Sequence, residues 1–191
     1  MKIRDSGMPE QGMWENFFDA KKILATLGLN TRVKNVAEFG CGYGTFTIPT
    51  AKIISGKIYA LDIEPDMIRM TIEEAKKNKL NNVETMLRDF MAEGSSLPDE
   101  SMDYVMLFNI LHLENPKALL KEAGRILKKE GKLGVIHWNY DPTTPRGPSM
   151  EIRPKSEQII EWSESVGFNF ISKHDLKPYH YGLVFERGNI K

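Results

Sequence analysis

The most constraining feature of the sequence is a short strand-like run that ends in closely spaced glycines. Val36–Phe39 has the sequence VAEF, and residues 40–44 have the sequence GCGYG. A short, mainly apolar run that stops at glycine predicts a buried strand followed by a tight turn. Glycine also lets the backbone of such a turn approach a ligand closely. Residues 45–54 then predict a helix, in which Pro49 is tolerated only within the first turn.

The same order of strand, turn and helix is repeated along the chain. Further strands are predicted at residues 57–62, Val83–Leu87, 103–109 and 132–138. Helices with apolar residues at helical spacing are predicted at 16–27, after Glu64-Pro65, after Asn115-Pro116 and at 156–166. Two last strands, near 169–174 and 181–187, are close enough in sequence to pair antiparallel. The alternation predicts an α/β fold with a Rossmann-like, doubly wound seven-stranded sheet, mostly parallel with an antiparallel C-terminal strand.

The organisation along the chain predicts one domain over residues 1–191, because no linker or internal repeat interrupts the pattern. Residues 1–32 are expected to form an N-terminal helical cap. Residues 141–154 contain four prolines and one glycine, a composition typical of a loop. Because this loop follows the fifth strand, residues 139–155 are expected to cover the carboxyl edge of the sheet, where open α/β folds bind ligands.

Composition excludes several kinds of protein. Lys plus Arg equals Asp plus Glu, at 26 each, so there is no overall basic field for a nucleic acid partner. No run of about 18 apolar residues is present, so membrane insertion is not expected. The N-terminal residues lack an apolar stretch behind their early charges, and a cytoplasmic location is expected. Cys41 is the single cysteine, which leaves no disulfide within the chain and no cysteine metal cluster.

The spacing of the glycines separates two common nucleotide-binding motifs from this one. A dinucleotide-binding loop needs a glycine three residues after its second one, but that position is Thr45 and the third glycine comes one place earlier, at Gly44. A phosphate-binding P-loop is also excluded, because no Gly-Lys-Ser/Thr follows. The pattern is therefore G-x-G-x-G preceded by the acidic residue Glu38.

Four motifs in order resemble the class I S-adenosylmethionine-dependent methyltransferases, in particular the small-molecule group that includes the quinone-biosynthesis C-methyltransferases. They are VAEFGCGYGTF at 36–46, IYALDIEPDMI at 58–68, RDF around Asp89, and DYVMLFNILHL at 103–113. The resemblance covers residues 33–138 well and the remainder loosely. It implies S-adenosylmethionine as cofactor and transfer of its methyl group to an acceptor. The four histidines show no metal-ligand spacing, so no metal is expected.

The resemblance also implies which residues bind the cofactor. Asp62 lies about 20 residues beyond the glycines, where a carboxylate can accept hydrogen bonds from ribose hydroxyls; a helix cap before Glu64-Pro65 is the alternative. Asp89 and Phe90 would contact adenine, and Glu38 and Asn109 would face the methionine end. Trp14 or Phe18 would cover the pocket, or simply pack. The full set is Glu38, Gly40, Cys41, Gly42, Tyr43, Gly44, Asp62, Ile63, Met67, Asp89, Phe90 and Asn109.

The acceptor side is less well defined. His112 and His137 are candidate bases, because the fourth and fifth strands should be neighbours and histidine titrates near neutral pH; His137 is alternatively a core residue. Arg146 and Arg153 would bind an anionic acceptor through planar guanidinium groups, or be solvated or paired with Glu151 and Glu157. An apolar pocket built from Trp138, Tyr140 and Met150 is the competing possibility.

Some acceptors are disfavoured. Amino-methylating DNA enzymes have Asn/Asp-Pro-Pro-aromatic after the fourth strand, where this chain has Asn109-Ile110-Leu111-His112. Cytosine C5 methylation needs a nucleophilic cysteine and arsenite methylation needs several thiols, whereas Cys41 lies in the glycine loop. A small-molecule acceptor is therefore expected, although a protein side chain stays possible. Aminopropyl transfer and a catalytically silent binding module are the alternative functions, and the sequence does not define the oligomeric state.

Overall fold

The computed structural model describes residues 10–188, which form a seven-stranded sheet with helices on both faces. The helices are α1 (Gln11–Glu15), α2 (Ala20–Thr26), α3 (Thr47–Ile53), α4 (Pro65–Lys77), α5 (Phe90–Glu93), α6 (Pro116–Ile126) and α7 (Ser156–Ser165). The strands are β1 (Val36–Phe39), β2 (Ile58–Asp62), β3 (Val83–Leu87), β4 (Met102–Phe108), β5 (Leu127–Trp138), β6 (Phe168–Leu176) and β7 (His180–Arg187).

The strand order is β3-β2-β1-β4-β5-β7-β6. β1 pairs in parallel with both β2 and β4, and Phe39 lies opposite Leu61 on one side and Leu107 on the other. β7 is antiparallel to both of its neighbours, β5 and β6. The predicted Rossmann-like sheet is confirmed. The order reverses between β1 and β4, and in open α/β sheets ligands bind at such a switch point, beyond the carboxyl ends of the strands.

Two apolar layers hold the helices against the sheet, because alternate residues of each central strand point to opposite faces. On β4, Val105 and Leu107 pack with the layer beneath α6 and α7, whereas Tyr104 and Met106 pack with the layer beneath α2 and α3. The buried hydroxyl of Tyr104 donates a hydrogen bond of 2.9 Å to the carbonyl oxygen of Leu27. This bond ties the end of α2 to the centre of the sheet.

Three elements differ from those predicted. The helix expected at 16–27 is shortened to α2, because the Asp19 carboxylate accepts from the backbone N–H of Lys22 and caps the helix there, while α1 lies before the predicted range. α5 was not predicted, since it has only four residues. β5 begins at Leu127 rather than at 132, because Leu127 already pairs with Met102 of β4. Gly131, which was expected to end the preceding helical unit, lies within this strand.

No helix within residues 10–188 has the length and apolar character needed to cross a lipid bilayer.

Candidate functional site

A cavity lies at the carboxyl edge of β1, β2 and β4, where the strand order reverses. Its lining combines the glycine loop, the ends of three strands and one side chain from α1. The residues are Trp14, Glu38, Gly40, Cys41, Gly42, Thr45, Phe46, Asp62, Ile63, Glu64, Met67, Asp89, Phe90, Met91, Phe108, Asn109, Ile110, His112 and Leu113. Ten of the twelve predicted cofactor-binding residues are therefore brought together around one space; Tyr43 and Gly44 lie in the same loop but outside the described lining.

The glycine loop is fixed by hydrogen bonds to β2 and α4. The backbone N–H groups of Gly40 and Cys41 both donate to the carbonyl oxygen of Leu61, at 2.8 and 3.0 Å. Thr71, which is buried in α4, donates from Oγ1 to the carbonyl oxygen of Gly42 at 3.0 Å. Gly42 has a φ of 54°, a conformation that a side chain disfavours. The loop thus presents its backbone to the cavity in a fixed shape.

Asp62 ends β2 and points across the turn toward the glycine loop. Its carboxylate accepts from the backbone N–H of Gly42 at 2.9 Å and from that of Glu64 at 3.0 Å. Burial raises the pKa of this carboxyl, and the backbone N–H groups of Glu64, Gly42 and Ile63 act in the opposite direction. An ionised carboxylate has about four acceptor positions, so acceptor capacity remains for a hydroxyl group of a ligand. Asp62 both holds the loop and offers acceptors to the cavity.

Glu38 lies at the base of the cavity and is 2% exposed. Burial raises the pKa of its carboxyl to about 8, a hydrogen bond of 2.5 Å from Thr47 Oγ1 lowers it, and the Asp62 carboxylate raises it further. The carboxyl is therefore protonated near neutral pH, until a cation enters the cavity to stabilise its charge.

Two polar side chains that line the cavity have no partner within residues 10–188. They are Thr45, through Oγ1, and Asn109, through both atoms of its amide. A buried polar group without a partner costs about 1–3 kcal/mol, so these atoms are suited to a polar ligand. Asn109 has a φ of 55°, which directs its side chain away from the line of β4. Thr45 was not predicted, although its place directly after the glycines is a usable signal.

The far end of the cavity is formed by the carboxyl ends of β2 and β3. Asp89 caps α5 by accepting from the backbone N–H of Ala92 at 3.1 Å, and Phe90 packs edge-on against Phe39 with ring centroids 5.2 Å apart. Ile63 and Met67 face the same space. A flat apolar slot with a carboxylate beside it suits an adenine ring. Together with Asp62, Glu38 and the two unpartnered side chains, these residues fit the expected S-adenosylmethionine.

The opposite end, beyond β4, is mainly apolar. Phe108, Ile110 and Leu113 line it, and Trp14 of α1 covers it. Trp14 also packs against Phe18, at 4.9 Å between ring centroids, so the predicted covering role falls to Trp14 rather than Phe18. Met91, Phe46 and Glu64 complete the lining and were not predicted, since their types carry no motif.

The two candidate bases lie side by side but differ in access. His112 is 4% exposed and lines the cavity. His137 is fully buried, and its ring centroid is 5.7 Å from that of His112, at an interplanar angle of 72°. Burial lowers the pKa of His137 well below its ordinary value. His137 is not part of the described lining, which corrects the expectation that it could take a proton from the acceptor directly.

Arg153 and Trp138 also differ from expectation. Arg153 is 6% exposed, and its guanidinium donates to the carbonyl oxygens of Asn139, Asp141, Arg146 and Pro148 and to Thr144 Oγ1. These contacts occupy its donors, so Arg153 holds the loop together instead of offering an anion site. Trp138 is 1% exposed and lies beneath that guanidinium, with its ring centroid 5.9 Å from the Arg153 Cζ atom. Arg146 is exposed and lines neither the cavity nor the neighbouring groove.

Among residues 10–188, no group of three or more His, Cys, Asp or Glu side chains could hold a metal ion. Burial raises the pKa of the Cys41 thiol well above its ordinary value, which keeps it in the unreactive protonated form.

Comparison with known proteins gives consistent matches over most of the chain. A model of the methyltransferase domain family matches residues 30–180. The demethylmenaquinone methyltransferase of Staphylococcus aureus strain MRSA252 is 27% identical over 175 residues, covering 82% of this chain and 69% of the relative.

Solved structures agree. An S-adenosylmethionine-dependent methyltransferase from Aquifex aeolicus has a TM-score of 0.83 at 25% identity, covering 93% of this chain and 94% of the other. The [4+2]-cyclase SpnF has the same fold, with a TM-score of 0.76 at 16% identity over 97% of this chain and 87% of that one. The family match and the geometry of the cavity lead to one conclusion. The chain belongs to the methyltransferase domain family and is a class I S-adenosylmethionine-dependent methyltransferase.

Proposed function

We propose that this methyltransferase acts on a small, mainly apolar acceptor and that His112 takes the proton which the acceptor loses. The observation that carries the proposal is the position of His112, a titratable side chain at the apolar end of the cavity. Asp62 and Asp89 lie at the opposite end, where ribose and adenine would bind. The reactive end of the cofactor would then lie beside the carboxyl end of β4, next to His112.

Bound S-adenosylmethionine supplies an electrophilic methyl group on a sulfonium. The protein's own contribution is mainly positional, and alignment of two reactants can supply about 7–11 kcal/mol. Trp14, Phe108 and Leu113 exclude water and orient the acceptor, while the thiol of Cys41 takes no part. His112 removes the proton as the acceptor atom becomes methylated.

A groove beside the cavity provides a route for the acceptor. It is formed between the segment after β4 and the loop at 139–155, and Leu113 lines both the groove and the cavity. Met150, Ile152 and Trp162 line its apolar part, and Tyr140 and Lys155 lie at its rim. The Lys155 ammonium is 4.8 Å from the Tyr140 ring centroid. This position supports an acceptor-side role for the loop, with contacts from Tyr140 and Met150. Arg153 also lines the groove, but its guanidinium donors are taken up by oxygen atoms of the loop.

The demethylmenaquinone methyltransferase relative suggests the first compounds to test. Its name identifies a quinone as the methylated compound, and a planar aromatic molecule of that class suits an aromatic cavity with one histidine. We therefore propose reduced naphthoquinones and substituted phenols as the first panel, with small amines and a protein extract as the other classes. The cytoplasmic location predicted from composition is part of the same proposal.

The deciding experiment measures S-adenosylhomocysteine formed from S-adenosylmethionine over this panel. We expect turnover with at least one small hydroxylated aromatic compound, and its loss in His112→Ala while cofactor affinity is kept. Turnover only with the protein extract would overturn the small-molecule proposal. Tight cofactor binding with no product from any class would favour a silent binding module or another reaction.

A further inference from the structure

His137 carries a polar side chain in the interior of the protein. It is fully buried at the end of β5, and neither ring nitrogen has a hydrogen-bond partner of good geometry within residues 10–188, although the adjacent Trp138 backbone favours the protonated ring. Each unpartnered buried polar atom costs about 1–3 kcal/mol. An apolar side chain of similar size would avoid this cost, so the imidazole is expected to have a use that the resting protein does not show.

The rings around His137 leave His112 as its partner. Tyr181 lies opposite His137 on β7, with ring centroids 6.3 Å apart, but its hydroxyl already donates to the carbonyl oxygen of Pro154 at 2.9 Å. His180 points to the other face of the sheet, where it packs against Trp138 with ring centroids 4.2 Å apart. The edge-to-face pair with His112 connects His137 to the cavity.

We propose that His137 is a positioning residue, which accepts a hydrogen bond from the imidazolium that His112 becomes during the reaction. The inference rests on the proposed role of His112 as the base. In the step itself, the bond from the methyl carbon to sulfur breaks and its electron pair stays on sulfur. A bond forms between that carbon and the acceptor atom, and the proton of the acceptor moves to His112. The added N–H of His112 then donates to the unprotonated nitrogen of His137, which satisfies it.

The surroundings of His137 keep the proton on His112. Burial lowers the pKa of His137, and the neighbouring His112, His180 and the Arg153 guanidinium act in the same direction, while the adjacent backbone of Trp138 acts against them. No carboxylate contributes to the shift of His137. His137 therefore stays neutral and serves as a hydrogen-bond acceptor, not as a second proton carrier.

The test is an NMR titration of histidine-labelled protein, which needs no acceptor molecule. Three variants are compared with the wild type: His137→Phe, which removes the acceptor nitrogen; His137→Gln, which keeps an acceptor oxygen; and His180→Phe, a matched control. His180 is equally buried and its ring nitrogens are also unpartnered, but it faces the opposite side of the sheet. We expect the titration midpoint of His112 to fall by at least about half a pH unit in His137→Phe. It should recover in His137→Gln and stay unchanged in His180→Phe.

The wild type alone gives a second readout if a variant does not fold. The unprotonated ring nitrogen of His137 should shift at the pH where His112 titrates, while His137 itself remains neutral. An unchanged His112 midpoint in folded His137→Phe, an equal change in His180→Phe, or no response of the His137 nitrogen would overturn the proposal.

These outcomes are separable from those of the product assay. Loss of the coupling would leave the role of His112 as a base unchanged, and the proposed methyl transfer would stand. Coupling without turnover on any acceptor would instead contradict the proposed function. With an acceptor in hand, His137→Phe should lower kcat and leave KM nearly unchanged, with partial recovery in His137→Gln.

Discussion

At the scale of single residues, Glu38 makes the stability of the protein depend on pH. Burial raises its pKa to about 8 in the folded chain, above the ordinary value of 4.5. A raised carboxyl pKa gives a relative stabilisation that is fully present below the unfolded value and is lost as pH rises through the folded one. The window is therefore about pH 4.5 to 8, and the folded chain becomes less stable across it.

The Glu38→Gln variant tests this sign. Glutamine keeps an oxygen that can accept from Thr47 but does not ionise, so the variant should gain in melting temperature relative to wild type as pH rises from 5 to 9. Differential scanning calorimetry at several pH values measures the difference. A gap between the two proteins that is constant with pH would show that Glu38 does not titrate in this window. Glu84→Gln is the control, because its carboxylate is half exposed and pairs with Lys57 at the surface.

Asp62 carries the prediction on cofactor affinity. Removing a charged acceptor of hydrogen bonds costs about 1.5–3 kcal/mol, so Asp62→Ala should weaken S-adenosylmethionine binding by roughly tenfold to 150-fold. Titration calorimetry of the folded variant measures the loss. Asp66→Ala is the control, since its carboxylate is 80% exposed and pairs with Arg69 at 3.4 Å. If Asp62→Ala binds as tightly as the control, the carboxylate only holds the turn.

Residue type and spacing predicted the cofactor end better than the acceptor end. Asp62 ends β2 and Asp89 comes two residues after β3, so their places at the sheet edge follow from the strand ends alone. Trp14 reaches the cavity from α1, which lies before the helix predicted at 16–27. Thr45 was passed over because its position after the glycines was used only to exclude a dinucleotide-binding loop. Arg153 lies in a loop of irregular path, where the direction of a side chain depends on contacts that no sequence period encodes.

At the scale of elements, regular periodicity decided what could be predicted. β1 was predicted with its observed ends, because an apolar run meets a glycine at Gly40. The start of α2 escaped prediction, since Phe17 and Phe18 fit a helical stripe although the helix begins only after its cap, Asp19. The start of β5 was also not predicted. The charged stretch before Lys132 resembles a turn, but Leu127 already pairs with Met102 of β4.

The folded shape of the loop at 139–155 is expected to depend on Arg153. Arg153 joins its two halves through backbone carbonyl oxygens, and a buried carbonyl without a partner is costly. Arg153→Met should therefore make the loop susceptible to limited proteolysis and lower the melting temperature, with cofactor affinity unchanged. Arg146→Met, at an exposed position in the same loop, should cleave like the wild type. Normal protease resistance in Arg153→Met, together with a raised KM for the acceptor, would show that Arg153 binds the acceptor instead of holding the loop.

At the scale of the whole molecule, the cofactor site joins parts of the chain that are distant in sequence. Its lining includes residues from Trp14 to Leu113, contributed by α1, the glycine loop and the ends of β1, β2 and β4. A ligand that binds only this folded arrangement stabilises it by mass action. The stability of the whole domain should therefore report on occupancy of the cavity.

The rise in Tm depends on how far the concentration of S-adenosylmethionine exceeds its Kd. At a free concentration 100 times Kd, binding adds about 2.7 kcal/mol to the free energy of unfolding. For a chain of 150–250 residues, each kcal/mol raises Tm by about 2–4 °C, so S-adenosylmethionine should raise Tm by roughly 5–11 °C. At the same concentration, Asp62→Ala should show no more than half of this rise, because its Kd is larger, whereas His112→Ala should show all of it. An equal rise in wild type and Asp62→Ala would mean that the cofactor binds elsewhere, and a reduced rise in His112→Ala would place His112 among the cofactor contacts instead of on the acceptor side.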